Sequence, residues 1–330
     1  MGSYQSMSVP TNMNSICLSV CIVTFEARDL LAKSLHSLAK NTRLDYEVIV
    51  VDNGSTDQVG EMLQEQFPYV KFHQNGENLG YTRPMNQALK QAKGQFLLQL
   101  NPDTLILPDA LDTLVAFMQE HPDAGICGPK VLNPDHSLQK PCRRGEPTPG
   151  AVFSYFLGLH KLFPDSKRFG GYLLNYLDEN QTNEVAGVSG SCMLVRRDVI
   201  NQIGYLDELF FAYQEDADFC RRTREAGWQV FYVPQAQIIH YGSLGGSRVQ
   251  PFRSIYEWHR SYYLYYRKHL SKDYPLLFNL FYYLIMFLKF SISIVINLFR
   301  KRKYAGPRDP IPGDNSFKEQ IGRASCRERV

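Results

Sequence analysis

Glu47 to Asp57 reads EVIVVDNGSTD, and the fold is decided there. Val48 to Val51 is an unbroken run of β-branched apolar residues, which suits a strand covered on both faces better than one alternating between core and water. The run ends on a carboxylate, Asp52, and passes at once into Asn53-Gly54-Ser55-Thr56-Asp57. That polar turn predicts a helix around Val59 to Phe67, with Ser55 or Thr56 as its cap. In a buried parallel sheet ligands sit beyond the carboxyl ends of the strands, so Asp52 is placed to accept a hydrogen bond from a base or a ribose. Taken alone, DNGS is also an ordinary turn.

The same alternation recurs on either side. LSVCIVT (Leu18 to Thr24) precedes a helical pattern over Asp29 to Leu38, YVKFHQ (Tyr69 to Gln74) precedes Tyr81 to Ala92, and QFLLQL (Gln95 to Leu100) precedes Pro108 to Glu120. Near-continuous apolar strands separated by amphipathic helices predict an α/β fold, a mainly parallel central sheet with helices on both faces. The strand ends carry the chemistry: Thr24-Phe25-Glu26, Asp52 to Asp57, and Asn101-Pro102-Asp103-Thr104. Thr24 and Asp52 should face one crevice. A Pro/Gly/Arg-rich stretch, Asn133 to Gly150, reads as a loop or lid. A Gly/Ser-rich strand, Val185 to Arg197, then precedes an acidic helix over Glu215 to Ala226.

A chain of 330 residues holds one large α/β core plus an appendage. Its 44% apolar and 21% charged composition excludes wholesale disorder, and a net charge of +3 with no nucleic-acid-reading motif gives no case for a nucleic-acid partner. The 7 cysteines have neither CxxC nor zinc-like spacing, so they read as reduced thiols. Met1 to Ser15 lacks the charged start and apolar stretch of a secretory signal, which places the catalytic part in the cytoplasm.

Further candidates follow from local chemistry. Gly80, in GENLGYTRPMNQAL (Gly76 to Leu89), permits close backbone approach at a helix start, where free N–H groups favour a diphosphate; Arg83 could add a cation. Asn78 and Asn86 are hydrogen-bonders in this loop. Gly187, Gly190 and Ser191 could let a ligand approach the backbone, or could mark a bulge. In YQEDADFCRR (Tyr213 to Arg222), Glu215, Asp216 and Asp218 cannot all sit comfortably on a buried face. Acids in a first helical turn also gain from the helix dipole, and this explanation suits Asp218 better than Asp216. A neighbouring like charge would raise the pKa of one of the Glu215–Asp216 pair.

LSVCIVTFE (Leu18 to Glu26), VVDNGSTD (Val50 to Asp57), ENLGYTRPMNQAL (Glu77 to Leu89), LLQLNPDT (Leu97 to Thr104) and FAYQEDADFCRR (Phe211 to Arg222) together resemble glycosyltransferase family 2, with the GT-A fold, and within it the bacterial rhamnosyltransferase-like branch. Their shared order is far more specific than any one of them. The resemblance implies an inverting transferase. Its donor site would draw on Thr24, Phe25, Glu26, Asp52, Asn53, Ser55, Asn78, Gly80, Arg83, Asn101, Gly190 and Ser191. It makes Asp216 the base and places Glu215 in the acceptor pocket. Family members carry Asp-x-Asp where this chain has Asn101-Pro102-Asp103, so Asp103 is the strong cation ligand, and His240 completes the site for Mn²⁺ or Mg²⁺. The implied substrates are a nucleotide-sugar donor, dTDP-L-rhamnose foremost, and a lipid-linked glycan or cell-surface polysaccharide precursor. Long-chain synthases of the family carry Gln-x-x-Arg-Trp; Gln250 to Ser254 lacks the Trp, which predicts distributive addition. A sugar-nucleotide-forming nucleotidyltransferase and a non-catalytic glycan-binding homologue are the alternatives.

Leu276 to Phe299 is long enough to span a bilayer, but Lys289 in mid-segment costs about 2.5–3.5 kcal/mol on insertion. Asn279, Tyr282, Lys289, Ser293, Asn297 and Arg300 fall on or near one helical face, and basic clusters flank both ends. These features predict amphipathic helices lying on the inner face of the cytoplasmic membrane. The aromatic-rich stretch Tyr256 to Tyr266 fits an interfacial position or packing on the core. The expected organisation is a flexible start over 1–14, a GT-A catalytic domain over 15–247 and a helical membrane-associating extension over 248–320. Ile321 to Val330, IGRASCRERV, matches the in-frame translation of a common DNA-sequencing adapter and is expected not to belong to the natural protein.

Overall fold

A computed structural model describes residues 16–242 and 250–299. The flexible start, the basic cluster Arg300 to Lys303 and the adapter-like segment lie outside the described residues.

Four strands build the first half in the order β3-β2-β1-β4, all parallel: β1 (Leu18–Thr24), β2 (Tyr46–Asp52), β3 (Lys71–Gln74) and β4 (Phe96–Leu100). Each of the first three leads into a helix: α1 (Arg28–Asn41), α2 (Val59–Gln66) and α3 (Thr82–Gln91). Helix α1 buries Leu31, Leu35 and Leu38, the stripe its spacing predicts. Strand β3 is shorter than predicted and exposed along its whole length, because it closes the sheet at one edge. The cap assignment also changes. Helix α2 starts after Gln58, which is left-handed with φ of 61° and makes no side-chain cap, while Ser55 is engaged by Asp52 and Glu26.

The second half reverses direction. In chain order come β5 (Thr104–Ile106), α4 (Ala110–Glu120), β6 (Ala124–Leu132), β7 (Arg143–Arg144), α5 (Pro149–Phe156), α6 (Leu159–Leu162), α7 (Lys167–Gly170), β8 (Asn183–Glu184), β9 (Gly187–Val188), β10 (Cys192–Arg196), α8 (Arg197–Ile203), α9 (Glu215–Glu225), β11 (Gln229–His240), α10 (Pro251–His269) and α11 (Leu276–Phe299). The sheet continues β4-β10-β6-β11-β5, with β8 on β11. Strands β6 and β11 are parallel to each other, whereas β10 runs against β4 and β6 and β5 runs against β11.

These reversals position the site. Because β10 opposes β4, the Ser189–Ser191 turn before it meets the end of β4, and the Asn101 N–H donates to the Ser191 carbonyl at 3.0 Å. The Gly/Ser-rich run predicted as one strand is therefore two, broken at this turn. Strand β5 pairs His240 directly with Thr104, so the end of β11 lies beside Asp103. The Asn133–Gly150 stretch is likewise not all loop: a 3-10 turn (Lys140–Cys142) leads into β7, which pairs with β9.

The apolar residues of the sheet and its helices form one core; a second, built from Tyr262, Tyr265, Tyr266, Tyr282, Met286 and their neighbours, joins α10 to α11. A buried polar clamp ties α10 to α9. Asp218, fully buried, accepts from Arg222 at 2.8 Å, Lys268 at 2.5 Å and His269 at 2.6 Å. Burial pushes its carboxyl upward, but the hydrogen bonds from His269 and Lys268 and the Arg222 charge prevail and hold it at about 2. Replacing one member of such a buried group strands the others, so Asp218→Ala should cost about 3–5 kcal/mol in denaturant titrations. The folded pKa lies below the unfolded value near ~3.9. This contribution is therefore present at neutral pH and is lost as pH falls from ~4 through about 2, a dependence Asp218→Ala should lack.

Candidate active site

Beyond the carboxyl ends of β1, β2 and β4 opens a cavity of about 500 Å³, and most of the residues singled out in sequence line it. On the first side lie Thr24, Phe25, Asn53, Asn78 and Gly80. The Asn53 amide is the template for this wall: it donates to Asn78 Oδ1 at 2.9 Å and to the Gly80 carbonyl at 2.6 Å, and accepts from the Leu79 N–H at 3.0 Å. Gly80, with φ of +89°, lets the loop approach Phe211; a Cβ there would stand 2.4 Å from the Phe211 carbonyl oxygen. Among the described residues, the buried Thr24 hydroxyl has no hydrogen-bond partner, nor has Gln214 Oε1 on the opposite wall. Buried polar atoms of this kind mark where a polar ligand would satisfy them.

Four expected donor-binding residues stand back from the cavity. Asp52 is buried and accepts from Ser55 and from Gln74, at 3.1 Å for the latter, so its carboxylate braces the turn. Ser55 also accepts from the Glu26 N–H at 2.8 Å, and the Glu26 carboxylate accepts from the Thr56 N–H and hydroxyl at 2.9 and 3.0 Å. Arg83 projects from the outer face of α3, its side chain 59% exposed and 3.5 Å from Glu208. None of the four lines the cavity: Asp52, Ser55 and Glu26 brace the turn and Arg83 lies at the surface.

Asp103 and His240 meet at the end of the sheet, 3.1 Å apart, with the Asn101 amide 3.2 Å from the same imidazole nitrogen. Gln139 orients the ring. Its NH₂ group donates to the His240 carbonyl and to Asn133, leaving its oxygen to accept from His240 Nδ1 at 2.8 Å. The Nε2 lone pair then faces the carboxylate, and a cation between two such acceptors would satisfy both. Burial raises the Asp103 pKa; with a proton on Nε2 in place of a cation, the charge and hydrogen bond of His240 prevail and hold it below the usual range. Among the described residues no third His, Cys, Asp or Glu joins the pair.

The acidic pair enters from α9. Tyr213 and Gln214 are both left-handed, with φ of 69° and 61°, a costly conformation that turns Glu215 and Asp216 into the cavity. Asp216 accepts from the Gly190 N–H at 3.0 Å and forms an ion pair with Arg144 at 2.5 Å, both side chains nearly buried. Burial and the Asp216 charge together push the Glu215 carboxyl up to about 8, and its Oε2 has no partner among the described residues. Glu215 is thus held toward its protonated form.

Arg144 was not singled out in sequence, although the Arg-rich stretch contained it. Strand alternation separates the two arginines of β7: Arg143 turns away to the carbonyls of Leu177 and Asp178, and Arg144 turns in. The second omission is α10, whose Arg253, Ser254, Glu257, Trp258 and Tyr262 line the cavity at helical spacing. Gln139 and Tyr172 were also missed.

A mostly parallel sheet with Asn-x-Asp and His at one strand end, facing an acidic helix start across a cavity, defines a glycosyltransferase of the GT-A fold. Two solved structures share that fold: the 1–349 segment of Staphylococcus aureus TarS, with TM-score 0.52 and 22% identity over 86% of this chain and 75% of that one, and the mannosyltransferase PcManGT from Pyrobaculum calidifontis in complex with GDP-Man and Mn²⁺, with TM-score 0.53 and 13% identity over 96% and 82%. The profile described as Glycosyl transferase family 2 matches residues 19–204, and the chain belongs to that family. It is 30% identical, over 75% of its length and 83% of the relative's, to the N-acetylglucosaminyl-diphospho-decaprenol L-rhamnosyltransferase of Mycobacterium tuberculosis. The nucleotidyltransferase and non-catalytic alternatives give way to a family 2 glycosyltransferase.

The Glu215 shift has a measurable sign. Its folded pKa of about 8 lies above the unfolded value near ~4.3, so the folded state binds more protons between them and wild-type stability falls as pH rises through that window. Glu215→Gln removes the penalty. The melting temperature of the variant relative to wild type should therefore rise steadily from pH 5 to pH 8 (roughly the span between the two values); a constant difference would contradict the assignment.

Proposed function

We propose that this protein is an inverting glycosyltransferase that moves a sugar, with L-rhamnose from dTDP-rhamnose the leading candidate, from a nucleotide donor to a hydroxyl of a lipid-linked glycan or cell-surface polysaccharide precursor. The observation that carries this reading is the convergence of Asp103 and His240 with Glu215 and Asp216 on one cavity. The activity for which the mycobacterial relative is named, rhamnosyl transfer to a lipid diphosphate sugar, supports the choice of donor and acceptor class.

Asp216 takes the proton of the acceptor hydroxyl as that oxygen attacks the anomeric carbon. The new C–O bond forms while the bond to the donor's diphosphate oxygen breaks, in one displacement that inverts configuration. Arg144 and the Gly190 N–H hold one carboxylate oxygen of Asp216, fixing its orientation toward the acceptor. Glu215, protonated, donates a hydrogen bond in the acceptor pocket instead of adding a second charge beside the base. Asp103 and His240, with the Asn101 amide close by, would hold a divalent cation, Mn²⁺ or Mg²⁺, which supplies charge neutralisation to the departing nucleoside diphosphate. The Mn²⁺ in the mannosyltransferase complex supports a cation in this fold. Gly190 and Ser191 border the donor sugar beside Asp216. Transfer is distributive, since Ser254 stands where long-chain synthases carry Trp.

Helix α11 supports attachment to a membrane, and the proposed surface is the inner face of the cytoplasmic membrane, with the catalytic domain in the cytoplasm. Its 24 residues reach about 36 Å, enough to cross a bilayer. Its polar residues, however, face α10: Asn279 pairs with Tyr266, and Lys289 and Ser293 lie 3.2 and 3.4 Å from His259. The opposite face, including Leu277, Phe281, Leu284, Phe287 and Ile292, is at least half exposed. A helix paired along its length with a wall of the active site cannot cross the bilayer without drawing α10, with Arg253, Glu257 and Arg260, in with it. An in-plane arrangement keeps those charges in water.

With Mn²⁺ and a panel of nucleotide sugars, wild type should release nucleoside diphosphate from one donor, and Asp216→Asn should do so about 10²–10⁴-fold more slowly. Equal release by both would remove Asp216 as the base. The product's anomeric configuration, read by proton NMR, should be opposite to that of the donor.

A further inference from the structure

The apolar face of α11 is not the only greasy surface on this side of the molecule. After α5 the chain exposes Leu157 at 72%, Leu162 at 71% and Phe163 at 51% in a short segment that runs through α6. Lys161, Lys167 and Arg168, all exposed, surround these residues, with Asp165 the single acid between Leu157 and Arg168. Large apolar side chains clustered at a surface mark a contact with something other than water.

Helix α5, which leads into the segment, packs on α10 and α11. The Phe153 ring packs 5.8 Å from that of Tyr282, Phe156 covers the Lys289 ammonium at 4.3 Å, and Trp258 covers it from another direction at 4.1 Å. Leu157 emerges directly after Phe156, so the patch begins one residue from this contact with α11. Tyr155, Trp258 and Tyr262, which line the cavity, come from the same two helices, α5 and α10, that back this surface.

We propose that residues 157–168 form a second membrane contact, so that the protein docks on an anionic bilayer at two places flanking the aromatic end of the cavity. This rests on the reading of α11 as an in-plane helix. The charge around the segment selects the occupant. Lys161, Lys167 and Arg168 complement acidic headgroups, whereas two copies of the patch meeting across a two-fold axis would set the same cations against each other. Docked in this way, the protein leaves the hydrocarbon chain of a lipid-linked acceptor in the bilayer while its sugar enters past Tyr155 and Trp258.

The test is flotation of the full chain with vesicles of phosphatidylcholine, with and without added phosphatidylglycerol, together with hydrogen exchange of the bound protein. Wild type should float, more strongly with the anionic lipid, and amides of both 157–163 and α11 should be protected. The triple variant Leu157→Ser, Leu162→Ser, Phe163→Ser should bind about tenfold or more weakly, by the apolar area it withdraws, while keeping its melting temperature and its donor hydrolysis. Replacing Lys161, Lys167 and Arg168 by Glu should abolish the preference for anionic lipid. If the Ser variant floats like wild type, the second contact is refuted and the α11 reading stands. If wild type itself fails to float, the α11 reading falls and takes this one with it. A lipid-free dimer that the Ser variant dissociates would identify a second copy as the occupant and overturn the proposal.

Discussion

The Arg144–Asp216 ion pair is the constraint on which the site depends. Both groups are nearly buried, and taking them from water costs several kcal/mol per ion unless geometry and extra hydrogen bonds offset it. The fold supplies these: the Gly190 N–H also donates to Asp216, and Arg144 donates to the Val188 carbonyl. The pair thereby ties β7 and β9 to the start of α9. It also separates the fates of two adjacent acids. Arg144 pairs directly with Asp216, while burial and the Asp216 charge raise the pKa of Glu215 to about 8.

The parallel half of the fold is legible in sequence because β1, β2 and β4 are near-continuous apolar runs and the helices between them show clear stripes. The antiparallel half is not. Thr104 to Ile106 is too short to carry a period, and its strand character comes from pairing with residues 238–240, far away in the chain. That pairing is also what brings His240 to Asp103, a meeting expected from family resemblance but not from spacing. The Val185 to Arg197 run hides its break because Ser189 to Ser191 reads as one more small, polar stretch within a strand. Asp52 and Arg83 illustrate a different limit. Chemistry and position in a motif single them out, but only the fold reveals that Ser55 and Gln74 already engage one and that the other points to solvent.

The C-terminal helices show how far amphipathicity can be read. The polar stripe on α11 is where the sequence places it, yet a stripe alone does not say whether it faces water or protein. Here it faces protein. Lys289, which looks like an obstacle to lipid contact, sits between Trp258 and Phe156, and burial lowers its pKa to about 8. The aromatic-rich α10 reads in sequence as part of a tail, but its Arg253-Ser254-Glu257-Trp258 face belongs to the cavity, so helix and catalytic core form one continuous structure.

The central claim is that the cation-binding pair and the acidic pair serve one donor in one cavity. Anomalous diffraction at the manganese edge, from crystals soaked with Mn²⁺ and a nucleoside diphosphate, tests it most directly. A manganese peak at Asp103 and His240, in contact with a diphosphate whose base lies toward Thr24 and Asn53, is the predicted result. Manganese bound elsewhere, or a nucleotide bound outside the cavity, would contradict the account.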